Sequence, residues 1–384
     1  MNTVQTQFLT LATPGRPFVL QAGGVLESAV LAYETYGQLS PARDNAVLLF
    51  HAFSGSQHAA GYNPAVPGVE ALWTEECRRG WWHAFIGPGK ALDTSHLFVI
   101  CANYLGGCYG STGPASLNPA TGRPYGSSFP TLRAEDVVNS QVALLDALEI
   151  PMLQAVIGGS LGGMLALMLA RNYPQRVRHV IPIASAFEVD LLQRIHNFEQ
   201  ICVIEEDPAY NGGDYYDGPG PVTGLRLARM ISHKTFVDLS VMRQRARNEV
   251  LSTADRGKRY ALTHPVESYL LHQAEKFVKR FDANSYLCIL NFWQRFTLYD
   301  QRLEQAPADL FAPCRDQHFL IFSVDSDVCF YPEDQANLVA ALTAAGAEVE
   351  HVTVHSNKGH DAFLLEPKLI APQIAYILTE HLNG

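Results

Sequence analysis

The chain has little of what marks several functional classes. Only 17% of its 384 residues are charged, and basic residues are the minority, 28 against 38 acidic, for a net charge of −10. That balance argues against nucleic acid or an anionic membrane as partner, although a local basic pocket remains possible. No apolar run reaches the length of a bilayer span. The first basic residue is Arg16, so the segment from Met1 to Thr13 lacks the n-region of a secretory signal, and none is expected. The seven cysteines are scattered and odd in number, with no Cys-x-x-Cys pair. They are expected to be reduced thiols in a cytoplasmic protein, with no metal site. Apolar residues are plentiful: at 47% they suffice for the core of one large domain or two.

Against this background one motif stands out, Gly158-Gly159-Ser160-Leu161-Gly162. The apolar run Gln154–Ile157 precedes it, and a helix-like run from Gly163 to Ala170 follows, closed by Pro174. Strand, sharp turn and helix are the context of a nucleophile elbow, which lifts a serine hydroxyl above a sheet. Glycines flank the serine because a Cβ would collide with the neighbouring strand or the helix start. The helix that follows offers unpaired N–H groups to a developing oxyanion.

Short β-branched runs predict buried strands at Asn45–His51, Leu97–Asn103, Gln154–Gly159, His179–Ser185, His318–Val324 and Glu350–His355. Helical segments fall between them, at Leu132–Leu148 and at Glu333–Ala345, the second ending at Gly346. The alternation predicts an α/β class, with a mostly parallel sheet covered by helices on both faces. It breaks between about Ala186 and Pro313, where a Gly/Tyr/Pro-rich loop and amphipathic segments at Leu225–Ser232, Val241–Arg247 and Ser268–Phe281 occur. The expected division is a core of residues 1–185 and 314–384, with 186–313 a mostly helical lid over the carboxyl edge of the sheet.

A serine at neutral pH needs an imidazole to take its proton and a carboxylate to orient the imidazole. In an α/β-hydrolase the chain order is Ser, acid, His. The acid belongs after a late strand, and Asp325-Ser326-Asp327 follows His318–Val324; either aspartate qualifies. The histidine belongs after the last strand, where His360 follows a glycine in a polar loop. His355 competes, but it closes the strand. The second oxyanion donor belongs after an early strand, which nominates the backbone N–H of Phe53 beside that of Leu161.

These residues belong to longer blocks. Gly80-Trp81-Trp82, Ile86–Thr94, Leu105–Pro114 and Asn118–Gly126, together with His51–Gly55, the elbow, Ala228–Ile231, Ser326-Asp327 and Gly359–Leu364, closely resemble the homoserine O-acyltransferases of the α/β-hydrolase type. The likeness spans nearly the whole chain. It implies transfer of an acetyl or succinyl group from an acyl-CoA co-substrate to the hydroxyl of L-homoserine, by a ping-pong route through an acyl-enzyme. It implies Ser160 as nucleophile, His360 as base and then acid, and Asp327 rather than Asp325 as orienting acid. It further implies Arg229 on the amino acid's carboxylate and Asp361 on its ammonium, no bound cofactor, and a homodimer formed through the lid. A zwitterion does need one fixed cation and one fixed anion.

The sequence departs from the family pattern at Phe236, where a tyrosine hydroxyl is usual. The lost donor makes serine a rival acceptor, since an unpaired substrate group costs about 1 kcal/mol or more in a dry site. Acetyl is the expected donor on family frequency. The basic run Arg243, Arg245, Arg247, Arg256, Lys258 and Arg259 invites a CoA-phosphate reading, though such runs are usually solvated helix faces. An ester hydrolase with the same triad is the main alternative, and a binding protein on a dead hydrolase scaffold lies further off. An esterase has no need of Arg229 and Asp361.

Overall fold

The computed structural model describes residues 2–246, 262–300 and 303–380. Eight strands form one sheet: β1 (Gln7–Ala12), β2 (Ala29–Tyr36), β3 (Ala46–Phe50), β4 (Phe98–Ala102), β5 (Leu153–Gly159), β6 (Val177–Ile183), β7 (His318–Val324) and β8 (Glu348–Val354). Their spatial order is β1-β2-β4-β3-β5-β6-β7-β8. From β4 to β8 every pairing is parallel, whereas β1 and β2 run antiparallel to their neighbours. This is the α/β-hydrolase fold expected from the alternation. The sequence reading missed β1 and β2. β1 is an edge strand with exposed positions, so it lacks the continuous apolar run that marks a central parallel strand. β6 stops at Ile183, short of the expected Ser185, because Ala184 turns to a positive φ of 47°.

All residues of β3, β4 and β5 are buried. Helix α1 (Ala134–Ala147) packs against α2 (Leu161–Asn172), and every residue of α2 from Leu161 to Ala170 is buried. An apolar helix of this kind is held by burial, each leucine contributing about 1.5–3 kcal/mol.

Register decides where the site forms. Phe50 pairs with Gly158, so the loop leaving β3 at His51 starts beside the turn leaving β5 at Ser160. Val324 pairs with Val354, so the loops that carry Asp327 and His360 start together. All four loops leave the carboxyl edge of the sheet.

Between β6 and β7 the chain forms α3 (Leu191–Glu205), α4 (Val222–Phe236), α5 (Leu239–Ala246), α6 (Pro265–Val278) and α7 (Ala283–Gln294). Carboxylates cap two of them. Asp190 accepts from the Gln193 N–H at 2.7 Å, and Asp282 from the Ser285 N–H at 2.8 Å. The three amphipathic segments fall within α4, α5 and α6, apart from the Arg247 end of one, which lies outside the described residues, and the tail of another, which runs past α6 to Phe281. Helices α3 and α7 were not anticipated. In α7 apolar residues surround the axis, because core and neighbouring helices both cover it, and no stripe shows in the sequence. The Gly-rich block meets the helices here: Gly106 has φ +81°, and a Cβ on it would lie 2.5 Å from Cys288 Sγ of α7.

Candidate active site

Ser160 sits between β5 and α2 at φ 59° and ψ −131°, a conformation that side chains rarely adopt. Its neighbours explain how it persists. The Ser160 N–H donates to Ile183 O at 2.9 Å, and Ser185 Oγ donates to Ser160 O at 2.8 Å. A Cβ on Gly158 would lie 2.2 Å from the Gly162 backbone, and one on Gly162 would lie 2.3 Å from Phe50 O. The glycines are therefore required by the tightness of the turn.

His360 Nδ1 hydrogen-bonds Asp327 Oδ2 at 2.7 Å. The other oxygen of Asp327 accepts from the N–H groups of Cys329 at 2.7 Å and Phe330 at 3.0 Å. Ser160, Asp327 and His360 are all at most 3% exposed. Burial by itself would lower the pKa of His360, but the Asp327 carboxylate, its hydrogen bond and the nearby Asp361 outweigh it and raise the value above the ordinary 6.5. His360 Nε2 is buried and has no hydrogen-bond partner among the described residues, which leaves it available to a hydroxyl proton. Phe330 and Phe363 flank the imidazole with ring centroids at 5.4 and 5.5 Å.

The two candidate loops are tied together. Gly359 N–H donates to Ser326 Oγ at 3.0 Å, and Ser326 Oγ donates to Ser356 O at 2.5 Å. The competitors lie elsewhere: Asp325 pairs with His355 at 2.9 Å, and the His355 side chain is 82% exposed.

A cavity of about 210 Å³ opens on Ser160 and His360. Phe53 and Ser54 line it on the oxyanion side, and Arg229, Asp361 and Phe236 line it as well. The N–H groups of Phe53 and Leu161 have no protein acceptor among the described residues. Two donors at adjacent chain turns are what an oxyanion hole requires. The Phe53 ring packs edge-on against Tyr286 at 4.6 Å, so α7 helps to hold the turn.

Among the described residues Arg229 makes no ion pair with a side chain, and its buried Nε and Nη1 have no hydrogen-bond partner. Its guanidinium lies 4.6 Å from the Phe277 ring and 5.4 Å from the Phe236 ring. Burial first, and then repulsion from Arg280, lower its pKa, while Asp361 favours its charge. Asp361 is raised above the ordinary carboxylate range, chiefly by burial, against the opposing pull of His360 and Arg229. A cation and an acid, both largely taken out of water, thus line the cavity of one serine.

The sequence did not single out Arg280. It lines the same cavity, donates through Nη1 to Ser54 O at 3.3 Å and to Tyr109 Oη at 2.9 Å, and stacks 4.9 Å from the Phe277 ring. In the sequence it reads as one more charge at the end of an amphipathic segment; only tertiary contact reveals it. Of the basic run, Arg243 and Arg245 lie on α5, and Arg247, Arg256, Lys258 and Arg259 fall outside the described residues. Among the described residues no cluster of three or more His, Cys, Asp or Glu could hold a metal ion.

Known proteins share this fold. A family model for the alpha/beta hydrolase fold matches residues 45–367. The chain is 43% identical over 380 residues to a homoserine O-acetyltransferase of Symbiobacterium thermophilum, covering 98% of this chain and 95% of that one. It is 42% identical over 354 residues to a homoserine O-succinyltransferase of Alkalilimnicola ehrlichii, covering 91% and 88%. Among solved structures, the crystal structure of esterase E22 superposes with a TM-score of 0.85 at 28% identity, covering 98% of this chain and 100% of that one. By these likenesses the chain belongs to the homoserine O-acyltransferase family of α/β-hydrolase-fold proteins.

Proposed function

We propose that the protein transfers an acetyl group from acetyl-CoA to the hydroxyl of L-homoserine, through an acyl-Ser160 intermediate, in the service of methionine synthesis. The observation that carries the reading is that Arg229 and Asp361 both line the cavity of Ser160. A zwitterionic acceptor places its carboxylate on one and its ammonium on the other, and its side-chain hydroxyl then reaches the acyl carbon.

In the first half-reaction Ser160 Oγ attacks the thioester carbonyl as its proton passes to His360 Nε2. Asp327 holds the imidazole and stabilises the imidazolium. The Phe53 and Leu161 N–H groups stabilise the oxyanion. Collapse breaks the C–S bond, and His360 returns the proton to the departing thiolate. In the second half-reaction His360 takes the proton of the homoserine hydroxyl, whose oxygen attacks the acyl carbon. Collapse breaks the bond to Ser160 Oγ, which recovers its proton from His360.

Acetyl is favoured by the homoserine O-acetyltransferase relative of Symbiobacterium thermophilum; a succinyl carboxylate would need a cation besides Arg229, a role open to Arg280 in the same cavity. In this reading residues 186–313 are a cap over the core formed by 1–185 and 314–384. The exposed stripe Leu191, Ile195 and Phe198 on α3 supports a homodimer through the cap, which a monomer in sedimentation would refute. Seven unpaired cysteines suit a reducing cytoplasm.

Hydrolysis is the second reading, favoured by the likeness to esterase E22. Thiol release from acetyl-CoA or succinyl-CoA, with homoserine, serine or water as acceptor, separates the cases. Release dependent on acetyl-CoA and homoserine is the expected result. Release indifferent to any acceptor makes the protein a hydrolase.

A further inference from the structure

We infer that a second cavity, adjoining that of Ser160, holds the pantetheine arm of the acyl-CoA and leads its phosphates to Arg79. This rests on the acyl-transfer reading and adds the route by which the donor arrives. The second cavity has a volume of about 160 Å³. Ser54, Gly55, Trp81 and Arg280 line both spaces, so the two meet along one wall.

The division of charges assigns the occupants. Arg229 and Asp361 line only the cavity of Ser160, where the amino acid is held. A pantetheine arm is long, thin and uncharged, with two amides, and it ends in phosphates. The second cavity suits such an arm. Ser54, Gly55, Ser56, Trp81 and Cys77 line it, a mostly small and uncharged set. Tyr109 fixes the partition: its hydroxyl donates to Arg280 O at 2.5 Å and accepts from Arg280 Nη1.

The exposed Glu76 and Arg79 line the second cavity as well. Glu76 is neutralised by Lys276. Arg79 is exposed and has no ion pair among the described residues. An exposed arginine without an ion pair among the described residues, in a chain of net charge −10, offers a place for a phosphate. Arg243 and Arg245, by contrast, line neither cavity.

The test compares acetyl-CoA with p-nitrophenyl acetate, which acylates a serine but has no arm. Arg79→Glu is expected to raise the acetyl-CoA KM by about tenfold at low salt and less at high salt, with p-nitrophenyl acetate turnover unchanged. Cys77→Trp, which fills the cavity, is expected to abolish acetyl-CoA use and keep the p-nitrophenol burst. In the wild type, CoA is expected to protect Cys77 from a methanethiosulfonate reagent, read by peptide mass. That measurement decides the matter should Cys77→Trp fail to fold. An acetyl-CoA KM within twofold of wild type in Arg79→Glu, together with no protection of Cys77, overturns the inference and leaves acyl transfer intact. A wild type that turns over p-nitrophenyl acetate but no acyl-CoA overturns the transfer reading itself.

Discussion

The two sides of the Ser160 cavity are built on opposite rules. On the sheet side, Asp327 has both oxygens occupied, His360 is fixed by Asp327 and the elbow is locked by backbone contacts. On the helical side, Arg229 has buried donors without partners among the described residues, and Phe236 presents a ring and no hydroxyl. The sheet side leaves open only the groups aimed at the reacting atoms, His360 Nε2 and the Phe53 and Leu161 N–H groups. The helical side is left unsatisfied, and a ligand with the right charges completes it. Chemistry is placed where the fold is most rigid, and recognition where bonds are left open.

The sharpest way to break the comparison is to remove the proposed nucleophile. Ser160→Ala is expected to lower thiol release by roughly 10³-fold or more while homoserine still binds, because the helical side is untouched. Single-turnover kinetics with calorimetry on the same variant check both halves. A variant that loses homoserine binding as well would show that the two sides are not separable.

Arg229→Ala should do the converse. Losing a charge-assisted contact of about 1.5–3 kcal/mol raises the homoserine KM by roughly 10- to 100-fold. The burst of thiol from acetyl-CoA should be unchanged, since acylation precedes the acceptor. A slower burst would place Arg229 in the first half-reaction.

The pH profile tests the sheet side alone. His360 must be neutral to accept a proton, and Asp327 with its hydrogen bond raises its pKa above 6.5. Activity is therefore lost as pH falls through that raised value. In Asp327→Asn the raising charge is gone, burial dominates, and the acidic limb is expected to move to lower pH as the maximum rate drops. A limb that stays in place would assign it to another group.

Gly106→Ala tests the joint between the sides. With φ +81° and Cys288 Sγ in the way, it should cost about 1–3 kcal/mol and lower Tm, while the p-nitrophenyl acetate burst of the surviving folded protein is retained. Phe236→Tyr is the mildest change. A restored hydroxyl should lower the homoserine KM a few-fold, about 1 kcal/mol, without changing the burst. A KM that falls for serine instead would make Phe236 a selector of the acceptor.

The sheet side was legible in advance because its cues are local. An elbow needs glycines at fixed offsets, and the acid and base follow strands that appear as apolar runs. The choice of Asp327 over Asp325 was not local: both follow β7, and the resemblance to the family supplied it. The helical side was legible only in fragments. α3 and α7 went unseen, and Arg280 carried no signal, because its importance lies in reaching Ser54 across a long stretch of chain.

By itself, then, the sequence determined the order of elements, the strained turn at Ser160 and the kinds of group that follow it, since apolar periodicity and glycine spacing act over a few residues. Only the tertiary structure decided which groups meet. The pairing of Phe50 with Gly158 and of Val324 with Val354 brings four loops to one edge of the sheet. The helices between β6 and β7 then set Arg229 and Arg280 above them. Strand register and helix packing are long-range, and no short stretch of chain encodes them.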